Sequence, residues 1–181
     1  MPLTEVLDAF TPRSIEEAND VERIRQLVAQ GDPWPRSLPV HATGSAVVVH
    51  PPTRRVLLRW HARMQAWLQV GGHGDAGETD PYVVAVREAE EETGLHDLTP
   101  WPNPSLATLV QVAIVPVPAS KREPAHEHAD FRYGLATHSP EDATPESPGA
   151  RLIWLKIEDA LATVAEDNLR VCLQRIAEVL S

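Results

Sequence analysis

The sequence predicts an α/β domain with a helical extension at its amino end. Apolar residues recur at helical spacing between residues 14 and 30, short β-branched runs begin near residue 45, and a glycine-rich loop then opens directly into a second helical pattern. With 181 residues, 43% of them apolar, the chain can fill one core and is short for two. The expected organisation is therefore a helical arm over residues 1–39 and one domain over residues 40–181.

The first helix is expected from Ser14 to Gln30. Ser14 and Glu17 form a capping-box pair, Ile15, Ala18, Val21, Ile24, Leu27 and Val28 make the apolar stripe, and Gly31 ends it. The prolines of GDPWPRSLP then break regular structure. SAVVVH and VLLRW read as two strands joined through PPTRR, and WLQV as a third that runs into GGHGDAGE. Asp80 and Pro81 supply an N-cap and first turn for YVVAVREAEEET, which Gly94 stops. LATLVQVAIVPV, interrupted late by Pro116, reads as a long strand, and AHEHADFRYGLAT and RLIWLKI as two more. The acidic, proline-rich SPEDATPESPGA reads as a mobile surface loop. An amphipathic helix from about Asp167 to Leu180 closes the chain, with Cys172 as a buried structural thiol. Trp60, Trp67 and Trp154 lie in or beside expected strands and read as core.

A formal net charge of −10 disfavours an extended nucleic-acid surface, because phosphate binding at physiological salt needs clustered Lys and Arg. No run approaches the roughly 20 apolar residues of a membrane span, and the amino terminus lacks the basic and apolar segments of a secretory signal. A soluble, cytoplasmic monomer or homodimer acting on a small molecule is expected.

The richest local signal is Arg87-Glu88-Ala89-Glu90-Glu91-Glu92-Thr93-Gly94-Leu95. At about 100° per residue, Glu88, Glu91 and Glu92 share one helix face, beside a packed face of Tyr82, Ala85, Val86, Ala89 and Thr93. Like charges three and four apart repel, and a divalent cation removes the conflict. All-oxygen donors favour Mg²⁺ over Zn²⁺. Read alone, the same string also fits a solvated acidic face with Arg87 paired to Glu91.

The segment from Gly71 to Leu95 resembles the Nudix box: glycine, five residues, glutamate, seven residues, then Arg-Glu-U-x-Glu-Glu-x-Gly-U, with U aliphatic. Gly72 and Glu78 keep the first spacing, and the second half matches with Ala89 at the first U. Eight residues stand between Glu78 and Arg87 where the pattern has seven. The extra residue is expected in Thr79-Asp80-Pro81, ahead of the helix, so the departure bears on Glu78 and spares the carboxylate geometry. The resemblance implies a Nudix-type α/β/α sandwich around a mixed sheet. It also implies Mg²⁺, with Mn²⁺ as a substitute, on Glu91, Glu92 and the Gly71 carbonyl, with Glu88 as a further ligand or proton acceptor and Arg87 orienting the glutamates. The implied reaction is attack of water on a phosphorus of a nucleoside diphosphate linked to another group. A Nudix-like binding or sensor module is the alternative, and the three glutamates argue against it. The family's cysteine-dependent isomerase chemistry ranks lower, since Cys172 lies in the terminal helix.

Around the box, Gly72, His73 and Glu78 read as substrate-binding. In His126-Glu127-His128-Ala129-Asp130-Phe131-Arg132-Tyr133, strand alternation sends His126, His128, Asp130 and Arg132 to one face and Ala129, Phe131 and Tyr133 to the core. The polar face reads as a substrate wall. A solvent-exposed face and a zinc site also fit, though the segment offers no third His or Cys to close a tetrahedral set. Glu127, Asp130, Glu141 and Glu146 are candidates for an acidic residue recruited from outside the box. Leu106 to Ala113 holds neither the proline nor the tyrosine that marks ADP-ribose and dinucleoside-polyphosphate subclasses, so the substrate stays unspecified.

Overall fold

A computed structural model describes residues 1–121 and 123–180. Helices α1 (Leu3–Ala9) and α2 (Ile15–Gln30) precede strands β1 (Val40–His50), β2 (Arg55–His61), β3 (Ala66–Leu68) and β4 (Val70–His73). Helix α3 (Pro81–Thr93) follows, then β5 (Thr99–Pro100), β6 (Leu109–Val117), β7 (His126–Ala136), β8 (Leu152–Lys156), α4 (Ile157–Thr163) and α5 (Asp167–Leu180). One mixed eight-stranded sheet is built on the parallel pair β1 and β7, with antiparallel partners on either side. No described helix is long and apolar enough to cross a membrane.

Period-two alternation divides the core into two layers. Ala46, Val48, Phe131 and Tyr133 pack toward α3 and the amino-terminal helices. Val47, Val49, Val56 and Leu58 pack with Ile157 of α4 and with Leu169, Cys172, Leu173 and Ile176 of α5. The result is an α/β/α sandwich. Phe131 is fully buried, so the expected register of β7 holds.

The amino-terminal helices join this core. Leu3, Val6, Leu7, Val21 and Ile24 are buried in the same cluster as Phe131. The expected stripe of α2 is rotated, however: Ile15 is 77% exposed and Ala18 is exposed, while Glu17 is 4% exposed. The cause lies at the open edge of β6, whose outward amides need acceptors. Val112 N donates to Glu17 Oε1 at 3.2 Å and Ile114 N to Asp20 Oδ2 at 2.9 Å. Two residues further on, Pro116 has no amide to satisfy, so the strand runs through it to Val117. Arg175 of α5 donates to both Glu17 oxygens, at 2.7 and 2.8 Å, and to the Val110 carbonyl at 2.8 Å.

Three further expectations are corrected. Trp60 and Trp67 are half-buried, beneath the Arg151 guanidinium, whereas the proline-flanked Trp34 and Trp101 are core. Ile157 starts α4 and does not extend β8. The 139–150 loop is tied down by Thr144 N donating to Thr93 O at 2.7 Å and Trp154 Nε1 to Pro140 O at 2.9 Å.

Removing one member of a buried ion pair leaves the other desolvated, at a cost of about 3–5 kcal/mol. Glu17→Ala is therefore expected to lower the unfolding free energy by that amount, and Glu17→Leu with Arg175→Met to recover part of it. Chemical denaturation of the single and double variants checks this; a double variant as unstable as Glu17→Ala would refute the pair's role.

Candidate active site

Helix α3 starts where Asp80 accepts from Tyr82 N at 3.0 Å and ends at Gly94, whose φ of 68° L side chains rarely adopt. Of the eight residues between Glu78 and Arg87, Thr79 and Asp80 precede the helix and the other six lie in its unbroken run, so the carboxylate spacing is kept. Gly44 lets α3 close on the sheet, since a Cβ there would lie 2.9 Å from Ala85 N. On the edge strand β4, Gly72 does the same for the Glu88 carboxylate, and Gly71 for the close pairing with β1. A Cβ at Gly72 would stand 2.6 Å from the Glu88 carboxylate, and Gly71, at φ 146°, would place one 2.6 Å from Ser45 Cα.

Glu92 is 8% exposed and accepts from Gly71 N at 3.1 Å. Burial pushes its pKa up to about 7, against the opposing pull of Arg59 and the Gly71 amide. Burial also raises Glu88, although Arg87 lies 3.0 Å away. Glu91 is turned outward, its carboxylate 3.1 Å from Arg87. Arg87 joins the loop to the helix: it reaches Glu78 at 2.9 Å, Glu88 and Glu91, and donates to the His73 carbonyl at 2.8 Å. Glu78 is held by Arg87 and by Asp75 N at 2.8 Å, which makes it a brace of the loop.

Glu88 and Glu92 line a cavity of about 340 Å³ together with Gly71, Gly72, His73, His128, Asp130 and Arg132. A larger cavity, about 730 Å³, lies between α1, Tyr82 and Val179 and contains none of the α3 glutamates. The smaller one gathers the ionisable side chains. Its wall also includes Arg36, Arg59, His61, Arg63, Thr43, Ser45, Gln69 and Glu166, none of which sequence reasoning singled out. Arg59 had a legible signal, a charge inside the apolar run VLLRW. Its buried Nε lies 3.3 Å from Glu92 Oε1, close enough for an ion pair but without hydrogen-bond alignment.

The polar face of β7 is largely buried. Asp130 accepts from Thr43, Ser45, Gln69 and Arg132 at 2.7–3.2 Å. Arg132, 1% exposed, also donates to Gln111 at 2.9 Å and Asn168 at 2.7 Å. The solvent-exposed reading of this face is thereby overturned. His126 lies outside this cavity, in a neighbouring one with His41 and His73. Among the acids outside the box, Asp130 reaches the cavity and Glu146 pairs with its wall residue Arg59, whereas Glu127 binds Arg23 at 2.7 Å.

The segment His126–Tyr133 lacked a third imidazole, but the sheet supplies two. His41 and His73 have Nε2 atoms 3.0 Å apart, and those of His126 and His128 are 3.2 Å apart. Burial first, then neighbouring positive charge, lowers His73 to about 3; burial lowers His128 to about 4, with Asp130 opposing it.

Of the carboxylates that line the cavity, Glu88 and Glu92 from α3 are proton-seeking and stand beside bare glycine backbone, and they offer oxygen donors of the kind a hard divalent cation takes. The residues fit such an ion.

A family model described as NUDIX domain matches residues 40–175. A search of curated proteins gave no match. Among solved structures, the chain is similar to a C. elegans Ap4A hydrolase binary complex, at 18% identity over 77% of this chain and 96% of that one, with a TM-score of 0.60. It is similar to a NUDIX-family hydrolase from Clostridium perfringens, at 26% identity over 77% and 97%, TM-score 0.59. A third is the E. coli dihydroneopterin triphosphate pyrophosphohydrolase, at 18% identity over 78% and 97%, TM-score 0.55.

Because Glu92 binds its proton more tightly folded than at the ordinary value of 4.5, the folded state holds more protons than the unfolded one between pH 4.5 and about 7. Stability from this group therefore falls as pH rises through that window. Without divalent cations, Glu92→Gln is expected to melt above the parent at pH 8 and to lose that advantage at pH 5. A variant that melts lower at pH 8 would contradict the assignment.

Proposed function

We propose that this chain, which belongs to the NUDIX family, is a divalent-cation-dependent hydrolase of a nucleoside diphosphate linked to another group. The observation that carries the reading is one cavity whose wall combines Glu88 and Glu92 with Arg36, Arg59 and Arg63. Acids alone would hold a cation, and arginines alone an anion. Their combination suits a diphosphate bridged to Mg²⁺ or Mn²⁺. Two structural neighbours, an Ap4A hydrolase and a dihydroneopterin triphosphate pyrophosphohydrolase, are named for substrates with polyphosphate chains, which supports this substrate class.

Glu92 and Glu91 on α3 would hold the ion, with the Gly71 carbonyl completing the set. A bound divalent cation neutralises charge on the diphosphate and lowers the pKa of attacking water. Arg87, through Glu78, Glu88 and Glu91, fixes loop and helix relative to each other without touching substrate. Arg59, in the wall of the same cavity, would meet a phosphate oxygen through its guanidinium. Water forms the new P–O bond, the anhydride P–O bond breaks, and the leaving phosphate takes the electron pair. Glu88, already raised toward protonation, is the proton acceptor in this scheme. Residues 40–181 form the hydrolase domain, and residues 1–39 complete its core.

Nucleoside triphosphates, dinucleoside polyphosphates, ADP-ribose and nucleotide sugars, each assayed with Mg²⁺ and with Mn²⁺, test the reading. Cation-dependent turnover of at least one class is expected, with Glu91→Gln and Glu92→Gln each at least about a hundredfold slower while still folded. Binding without turnover across the panel would favour a sensor instead, and near-parent turnover in both variants would exclude the carboxylate assignment.

A further inference from the structure

We propose that His41, His73 and His128, with His126 as a fourth donor, bind a first-row transition metal, Zn²⁺ by ligand type, at the rim of the cavity. A ring nitrogen of each of His41, His73 and His128 lies within 4.8 Å of the others. Tetrahedral zinc at Zn–N distances of about 2.0–2.1 Å separates its nitrogens by roughly 3.3 Å. The 3.0 Å between Nε2 of His41 and His73, and the 3.2 Å between Nε2 of His126 and His128, are close to that edge. Small ring rotations would complete the polyhedron.

Hydrogen bonds on the far side of two rings support this. His41 Nδ1 is 3.0 Å from the Leu38 carbonyl and His126 Nδ1 is 2.9 Å from the Pro124 carbonyl. A carbonyl only accepts, so each Nδ1 carries the hydrogen and each Nε2 presents a lone pair to the cluster. Metal-bound histidines are commonly oriented by such a bond to a backbone carbonyl. In the hydrogen-bonded arrangement His73 and His128 must then donate through Nε2. Binding a cation requires only that these two rings shift their hydrogen to Nδ1.

The cluster is a product of the sheet. His41 stands opposite His128 in the parallel register, and His73 is opposite Thr43 on the other side of β1. Imidazole-only donors suit zinc, copper or nickel and not Mg²⁺, so this site and the α3 carboxylates differ in the cation they select. His73 and His128 also line the cavity of Glu88 and Glu92, so the metal would add positive charge to a wall that meets an anion. The proposal does not depend on the hydrolase reading.

The test uses the tag-free full chain, stripped with chelator and titrated with Co²⁺ and then Zn²⁺. Cobalt coordination is followed by visible absorption, and zinc affinity by competition with a chromogenic chelator. One equivalent of zinc is expected, raising the melting temperature without Mg²⁺. His73→Gln and His128→Ala should weaken zinc binding by at least about tenfold, the lower end of what losing even a supporting residue costs a metal site. Glu92→Gln should stay within about twofold of the parent, and melting curves establish that each variant is folded. Should one His variant fail to fold, the other and His126→Ala carry the comparison. No zinc retained by the parent, affinity indifferent to the histidines, or affinity lost with Glu92→Gln would each overturn the site.

Discussion

The parallel pairing of β1 with β7 is the constraint on which both core and cavity depend. Ten consecutive positions pair, from Val40 with Glu127 to Val49 with Ala136. Side chains alternate, so one register sends Phe131 and Tyr133 into the α3 layer and sets Asp130 beside Thr43 and Ser45. A one-residue slip would put Asp130 and Arg132 into the apolar layer and Phe131 into the cavity, at a cost of several kcal/mol for each stranded charge. The buried network penalises that alternative. Arg132 and Asp130 neutralise each other, and Gln69, Gln111 and Asn168 take up their remaining valences.

The sheet's exposed flank is met by the same logic. An edge strand with free amides invites pairing with another chain. Here α2 spends two carboxylates on β6, and Arg175 of α5 neutralises one of them. The amino-terminal helices are thereby bound to the carboxy-terminal helix by charge as well as by apolar packing. That explains why Glu17, and not Ile15, occupies the buried face.

What the sequence made legible was local. The helix of Glu88, Glu91 and Glu92, its Asp80 cap, the glycines before it and the alternation of β7 all rest on contacts within a few residues, where spacing fixes geometry. What it hid depends on partners far apart in the chain. Glu17 reads only as half of a capping box because its partner Arg175 is 158 positions away. The imidazole cluster escaped notice because His41, His73 and His128 meet only through strand register, which a single sequence does not specify. The burial of Trp34 and Trp101 was not legible for a related reason: neighbouring prolines describe the backbone and say nothing about which layer a loop crosses.

Desolvation acts in opposite senses on the two donor sets of the cavity. It makes Glu92 and Glu88 seek a positive charge, which a proton or a cation can supply. It strips protons from His73 and His128 and leaves neutral nitrogen bases. Oxygen donors and nitrogen donors are thus held apart by no more than the step from Gly72 to His73, where side chains alternate across β4. Gly72, having no side chain, admits Glu88 from the α3 layer, while His73 turns to the face of His41 and His128. Cations in such a cavity would be sorted by ligand type, because its size is shared and its donors are not.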